Sequence, residues 1–223
     1  LQRLDEVVRS RLPMDAGDHL FRAGEAFENL YVIRGGCVRT THPANDGEEQ
    51  VIGFHLPGEL VGLDAIGDDR HQCDAVALER TNVCAVPFNQ LEQVARSVPG
   101  LQHQVLRIMS RELVQDQQHL VALGRRTARE RIALFLQSLG QRLDAAGYSG
   151  HSFRLPMSRE DIASYLGLAL ETVSRLLGRL ADERVLAVER RQIRILDADA
   201  LAAIAGERPI SVYERDGLGR QSS

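Results

Sequence analysis

The chain has no lysine and no tryptophan, and aromatic residues make up only 4% of its 223 positions. All 27 basic residues are therefore arginine, which reads first as codon bias. Cysteine is scarce. Cys37, Cys73 and Cys84 are odd in number and include no CxxC pair, which fits a reduced compartment better than a disulfide framework. No apolar run reaches membrane-spanning length, and neither end carries a signal peptide or lipidation motif. A cytoplasmic location without membrane contact is expected. The first residue is Leu1 rather than Met, so a native start ahead of it is also expected.

Net positive charge is lacking as well, since a net −4 argues against a protein coated in basic patches. The distribution is uneven, however. Residues 125–195 hold thirteen arginines against eight aspartates and glutamates, an excess of +5 that leaves the rest of the chain at −9. Either chance clusters these charges, or only the C-terminal half meets a polyanion.

What is present falls into three parts. Between residues 14 and 88 turn signals recur every eight to twelve positions, among them Asn45-Asp46-Gly47 and Pro57-Gly58-Glu59. The short β-branched runs between them predict an all-β roll or barrel. Phe88 to Ser97 reads as a short helix, and Pro99 opens an unbroken helical pattern to about Gly124. Leu106, Met109, Leu113, Asp116, Leu120 and Leu123 alternate spacings of three and four, an a/d seam that pairs two helices. A second stripe of Leu101, Val105 and Ile108 can pack back on the roll. One helix buried in its own subunit is the competing reading, and two separate stripes favour a homodimer.

Arg126 to Leu143 predicts another amphipathic helix, ended at Ala146-Gly147. Ser158-Arg-Glu-Asp161 caps a helix to Leu166, Gly167-Leu168 turns, and a second helix runs from about Leu170 to Leu180. A hairpin of Val185–Val188 and Gln192–Leu196 follows, then a short helix capped by Asp197 and a polar tail from Glu207. This is the layout of a winged helix-turn-helix. The expected fold is thus α+β: residues 1–98 a β-roll sensor domain, 99–124 a dimerisation helix, 125–206 the winged helix-turn-helix, and 207–223 the tail.

With Ile162, Tyr165, Leu166, Val173 and Leu176 inward, Glu171, Thr172, Ser174, Arg175 and Arg179 share the opposite side. Arg can donate twice to guanine, Glu can accept from cytosine N4, and Ser can touch either edge. Thr172 and Arg179 are better placed for phosphates. A solvated Glu171–Arg175 pair explains two of these residues equally well on spacing alone.

The run Ser158 to Leu180 resembles the helix-turn-helix of the cAMP receptor protein and FNR superfamily, and Glu171-x-x-Ser174-Arg175 resembles its FNR (fumarate and nitrate reduction regulator) form. Gln50 to Gly67, Ala77 to Phe88 and Leu106 to Leu113 are similar to the same branch. The resemblance covers about residues 1 to 206. It implies an anaerobic, oxygen-responsive activator that binds TTGAT-like inverted repeats of double-stranded DNA. It also implies contact with RNA polymerase through an exposed loop, for which His42 to Glu49 is the candidate. Relatives that bind cyclic nucleotides hold the phosphate with a Gly-Glu pair and a later Arg-Ser. Here Gly58-Glu59 remains, but the later stretch reads His71-Gln-Cys-Asp-Ala75, a poor anion site. FNR-type sensors hold a 4Fe–4S cluster through four cysteines, three of them N-terminal. Cys84 matches the one in the roll and is otherwise a buried structural thiol, while Cys37 and Cys73 lack ligand-like spacing. The other ligands would precede Leu1, so this chain as given is expected to hold no cluster. A superfamily regulator sensing another signal is the alternative. A cupin-like metalloenzyme would need clustered histidines, and His42, His55 and His71 stand singly, so no enzyme activity is expected.

Overall fold

The computed structural model describes residues 10–43, 49–98 and 100–206. Eight strands build the N-terminal roll: β1 Ser10–Met14, β2 His19–Phe21, β3 Asn29–Gly35, β4 Val38–Pro43, β5 Glu49–His55, β6 Leu60–Val61, β7 Asp74–Ala77 and β8 Thr81–Pro87. They form two antiparallel four-stranded sheets, in the orders β1-β8-β3-β6 and β2-β7-β4-β5. Inward residues from both sheets meet in a core of Met14, Phe21, Ile33, Val38, Val61, Cys73, Ala75, Ala77 and Val83. The period-two alternation of strands puts these on one face and the polar residues on the other. Pro13, which cannot donate to a ladder, lies in β1 at a sheet edge.

Helix α1 (Phe88–Ser97) follows β8 without a gap, and α2 (Leu101–Arg125) runs for 25 residues. Pro99, read as the start of α2, lies outside the described residues, as do 44–48 of the proposed polymerase loop, residues 1–9 and the tail from 207. The stripe of Leu101, Val105 and Ile108 is half-buried, and Val105 lines a groove with Phe88 and Leu91 of α1. Helix α3 (Ala128–Ala145) opens on a reciprocal Thr127–Glu130 capping box. A three-stranded sheet of order β10-β11-β9 (Leu186–Glu189, Gln192–Ile195, Ser152–Arg154) backs α4 (Arg159–Leu166), α5 (Leu170–Asp182) and α6 (Ala198–Ile204). The mixed fold, β-roll then long helix then winged helix-turn-helix, is the one expected.

The second core is not confined to the C-terminal half. Ile132, Phe135, Leu136, Leu139, Ile162, Leu166, Val173 and Leu177 pack in one cluster with Cys37, Val51, Phe54 and Leu56 of the roll. The two halves therefore share buried apolar surface.

Candidate nucleic-acid interface

Helix α4 begins where Ser158 accepts from the Asp161 N–H at 3.0 Å while Asp161 accepts from the Ser158 N–H at 2.7 Å. It ends at Gly167, whose φ of +60° is left-handed backbone that glycine adopts without penalty. Two residues later α5 starts, with no side-chain cap on its first N–H groups. Ile162, Leu166, Val173 and Leu176 are buried, and so are Leu177 and Leu180. Tyr165 is half-buried against the same core. That packing fixes the opposite face of α5. Glu171, Ser174, Arg175 and Arg179 are exposed there, and Thr172 is half-buried. No ion pair joins Glu171 to Arg175 among the described residues, so the solvated-pair alternative has no contact to support it. Glu171 sits in the first turn, where the helix dipole favours an anion. The hairpin turn of the wing carries exposed Arg190 and Arg191, and Arg190 takes a positive φ of 57°.

Sequence reasoning missed how this unit is held. Arg39 on β4 bonds Asp161 at 2.5 Å and Glu49 at 3.2 Å, tying the capping box to the roll. Burial alone would raise the Asp161 carboxyl, but bonds from Ser158 and Arg39 hold it below the usual carboxylate range. On β5, the Val51 N–H donates to Ser164 Oγ at 2.9 Å. Arg142 on α3 bonds Glu59 at 2.7 and 2.6 Å. Apart from Arg39–Glu49, these partners lie 83 to 122 residues apart, so no local pattern announces them.

On α2 no residue is buried. Leu106, Leu113 and Leu120 expose 55%, 59% and 66% of their surface, an apolar row open to a partner. Met109 is half-buried and Asp116 exposed beside that row, while Val114 and Val121 extend it on the other flank. Their spacing of seven was the signal available in the sequence. Leu123, like Met109, is half-buried, its Cδ2 close under Gly167.

Residues 130–204 match the Crp-like helix-turn-helix domain family, and residues 11–97 match the cyclic nucleotide-binding domain family. The chain is 45% identical over 206 residues to the transcriptional activator protein Anr of Pseudomonas protegens, covering 92% of this chain and 84% of that one. It is 43% identical to the fumarate and nitrate reduction regulatory protein of Escherichia coli, over 92% and 82% of the two chains. The chain belongs to the FNR branch of the cAMP receptor protein and FNR superfamily. Among solved structures, FixK2 from Bradyrhizobium japonicum superposes with a TM-score of 0.80 at 33% identity, over 87% of this chain and 96% of that one.

Within this FNR-branch roll, the acids on and beside the stretch His71 to Ala75 are taken up by local bonds. Asp64 accepts from the Gln72 N–H at 2.7 Å and from the Cys73 thiol at 3.5 Å. Asp74 accepts from the Ala23 N–H at 2.7 Å. His71 stacks on Phe21 with ring centroids 3.5 Å apart and fills the space behind them. Glu59, expected as a remnant of ligand binding, is turned onto Arg142 instead.

Cys84 is buried on β8, opposite Arg11 and Val32, and outside both apolar cores, because alternation points it away from Val83. Cys37 and Cys73 are buried too, and burial first of all pushes both thiols well above the ordinary value. Burial of this kind disfavours the reactive thiolate in both. Among the described residues no three His, Cys, Asp or Glu side chains come together as a metal site. A four-iron cluster needs four ligands, so the described residues do not fit one by themselves. No described helix is long and apolar enough to cross a membrane.

Proposed function

We propose that the chain is a DNA-binding transcription activator of the FNR type, acting as a homodimer rather than as an enzyme, in the cytoplasm. The observation that carries this reading is the exposed face of α5, where Glu171, Ser174 and Arg175 stand unpaired on a helix packed from behind. Glu171 and Arg175 read a G·C pair, Ser174 a neighbouring thymine, and Thr172 and Arg179 hold phosphates. Two such helices are spaced by pairing α2 with its mate through Leu106, Met109, Leu113, Asp116 and Leu120, with Leu123 closing the seam beside Gly167. The target is an inverted TTGAT-like repeat about one helical turn apart. RNA polymerase is recruited through the hairpin between β4 and β5, at His42 to Glu49.

The signal is oxygen. In the full-length protein Cys84 is one of four ligands of a 4Fe–4S cluster, the other three lying outside this chain. The stretch His71 to Ala75, acidic where cyclic-nucleotide binders carry Arg-Ser, supports this over a cyclic nucleotide. Two experiments test the reading. A labelled TTGAT inverted repeat titrated with the 223-residue chain should shift, with affinity falling steeply as salt rises. Full-length protein purified without oxygen should be brown and bleach in air, and Cys84→Ser should be colourless. A colourless anaerobic wild type removes the cluster from the proposal.

A further inference from the structure

The pair Arg142–Glu59 joins two domains. Arg142 stands on α3 beside the helix-turn-helix, and Glu59 in the turn between β5 and β6 of the roll. Nε donates to Oε1 at 2.7 Å and Nη2 to Oε2 at 2.6 Å, the forked geometry that makes arginine–carboxylate pairs both strong and directional. Nη2 also donates to the Phe54 carbonyl, and Glu59 accepts a further bond from the Leu56 N–H at 2.8 Å. About four-fifths of each side chain is covered, with exposures of 20% and 21%. The cation that neutralises Glu59 thus comes from the other domain. Separating the domains breaks both forked bonds, and removing either partner in the docked state leaves the other charge largely buried and unpaired.

What surrounds the pair fixes an orientation, not merely a contact. Phe54 of the roll meets Tyr165 of α4 at 5.2 Å and Phe135 of α3 at 6.0 Å. Strand β5 is the open edge of its sheet, and α4 covers it, taking the Val51 N–H on Ser164 Oγ. With α4 docked there, α5 turns Glu171, Ser174 and Arg175 outward.

We propose that Arg142 is a positioning residue for DNA binding. Its guanidinium is the resident, intramolecular ligand of the roll at Glu59, and it locks the helix-turn-helix with α4 on the β5 edge and α5 facing out. This rests on the reading of the chain as a DNA-binding regulator. Weakening the lock lowers the fraction of molecules in the competent orientation, and apparent affinity falls in proportion.

The test uses the whole chain as wild type, Arg142→Gln, Glu59→Gln and the double variant. Two readouts are followed: affinity for the inverted repeat at fixed salt, and hydrogen exchange at the Val51 amide without DNA. Each single change should weaken binding about tenfold through the lost competent fraction, and the double should be no weaker than either. The Val51 amide should exchange faster while β3, β8 and α3 stay protected. Single variants within about twofold of wild type, or losses that multiply in the double, overturn the proposal. So does an affinity loss with Val51 still protected. If Arg142→Gln does not fold, Glu59→Gln carries the same two readouts from the roll. If the wild type does not bind the repeat, the DNA reading fails, and Val51 exchange still decides whether the pair locks the domains.

Discussion

The imidazole of His119, on the long helix α2, lies flat on the phenol ring of Tyr165 in α4, with ring centroids 4.0 Å apart and planes 11° from parallel. Tyr165 in turn packs on Phe54 of the roll and Phe135 of α3. One ring of the helix-turn-helix thus touches the long helix, the roll and its own domain. Burial lowers the His119 pKa, outweighing nearby Asp116, so the neutral ring is the form that stacks.

Acid should therefore loosen this joint. A histidine whose folded pKa lies below its unfolded value of 6.5 contributes stability that is intact above 6.5 and lost as the pH falls through the folded value. His71 is lowered in the same way, and His55 to about 4. Asp116 and Glu112, raised by burial, work in the opposite sense. The clean observable is therefore a difference. His119→Phe keeps a flat ring and removes the charge, so its thermal midpoint should fall less than that of wild type as the pH drops below 6.5. Parallel pH slopes for the two proteins would mean that His119 does not titrate against the stack.

Gly140 and Gly178 should respond to alanine with opposite signs. Both lie inside helices, where alanine ordinarily gains about 1 kcal/mol over glycine. A Cβ on Gly140, however, would stand 2.5 Å from the Gly150 carbonyl oxygen, where α3 crosses the loop before β9. Gly178 has open space around it. Gly140→Ala should lose about 1–3 kcal/mol to overpacking, and Gly178→Ala should gain up to about 1 kcal/mol in urea unfolding. A stabilised Gly140→Ala would show that the loop moves aside freely.

Such contrasts mark where the sequence stops being legible. The Ser158–Asp161 box, the Gly167 turn and the α5 face follow from residues within four positions of each other, and local chemistry is enough to read them. Strand β1 was invisible because Ser10-Arg-Leu-Pro-Met14 shows no alternation, and its partner β8 lies some seventy residues on. The same holds for Arg39, Gln50 and Arg142. As members of an all-arginine cationic set or of polar strand ends they look solvated, and only the docking of α4 on β5 makes them partners.

On the long helix, Asp116 stands beside Leu113 and Leu120, where a coiled coil wants an apolar side chain. A twofold mate nearby would add like-charge repulsion. Two such charges oppose association by about 1–3 kcal/mol after screening. Asp116→Ala should therefore tighten the dimer by one to two orders of magnitude or less in sedimentation equilibrium, and make DNA binding less dependent on oxygen. An unchanged association constant would mean that the carboxylate swings to solvent and has no part in the switch.

The sharpest prediction concerns which bases α5 selects. Glu171 and Arg175 are shared with the cAMP receptor branch, so both should read the G·C pair common to the two half-sites. That branch resembles this helix with Arg in place of Leu170 and Gly in place of Ser174, and reads G where the FNR type reads the first T of TTGAT. Leu170 is exposed at the start of α5, and Ser174 one turn on, so both can reach a groove without repacking the core. Leucine cannot donate to guanine O6, and removing Ser174 removes a contact to thymine. The double change Leu170→Arg with Ser174→Gly should move preference from TTGAT toward a GTGA core by about 1–3 kcal/mol per half-site, a typical value for one mismatched pair. Arg175→Ala should weaken both targets alike, since it takes away the contact they share. Competition binding at fixed salt decides between these outcomes, because phosphate contacts change every affinity together and leave the ranking alone. A ranking unchanged in the double variant would mean that specificity lies elsewhere, with the wing arginines Arg190 and Arg191 the next residues to exchange.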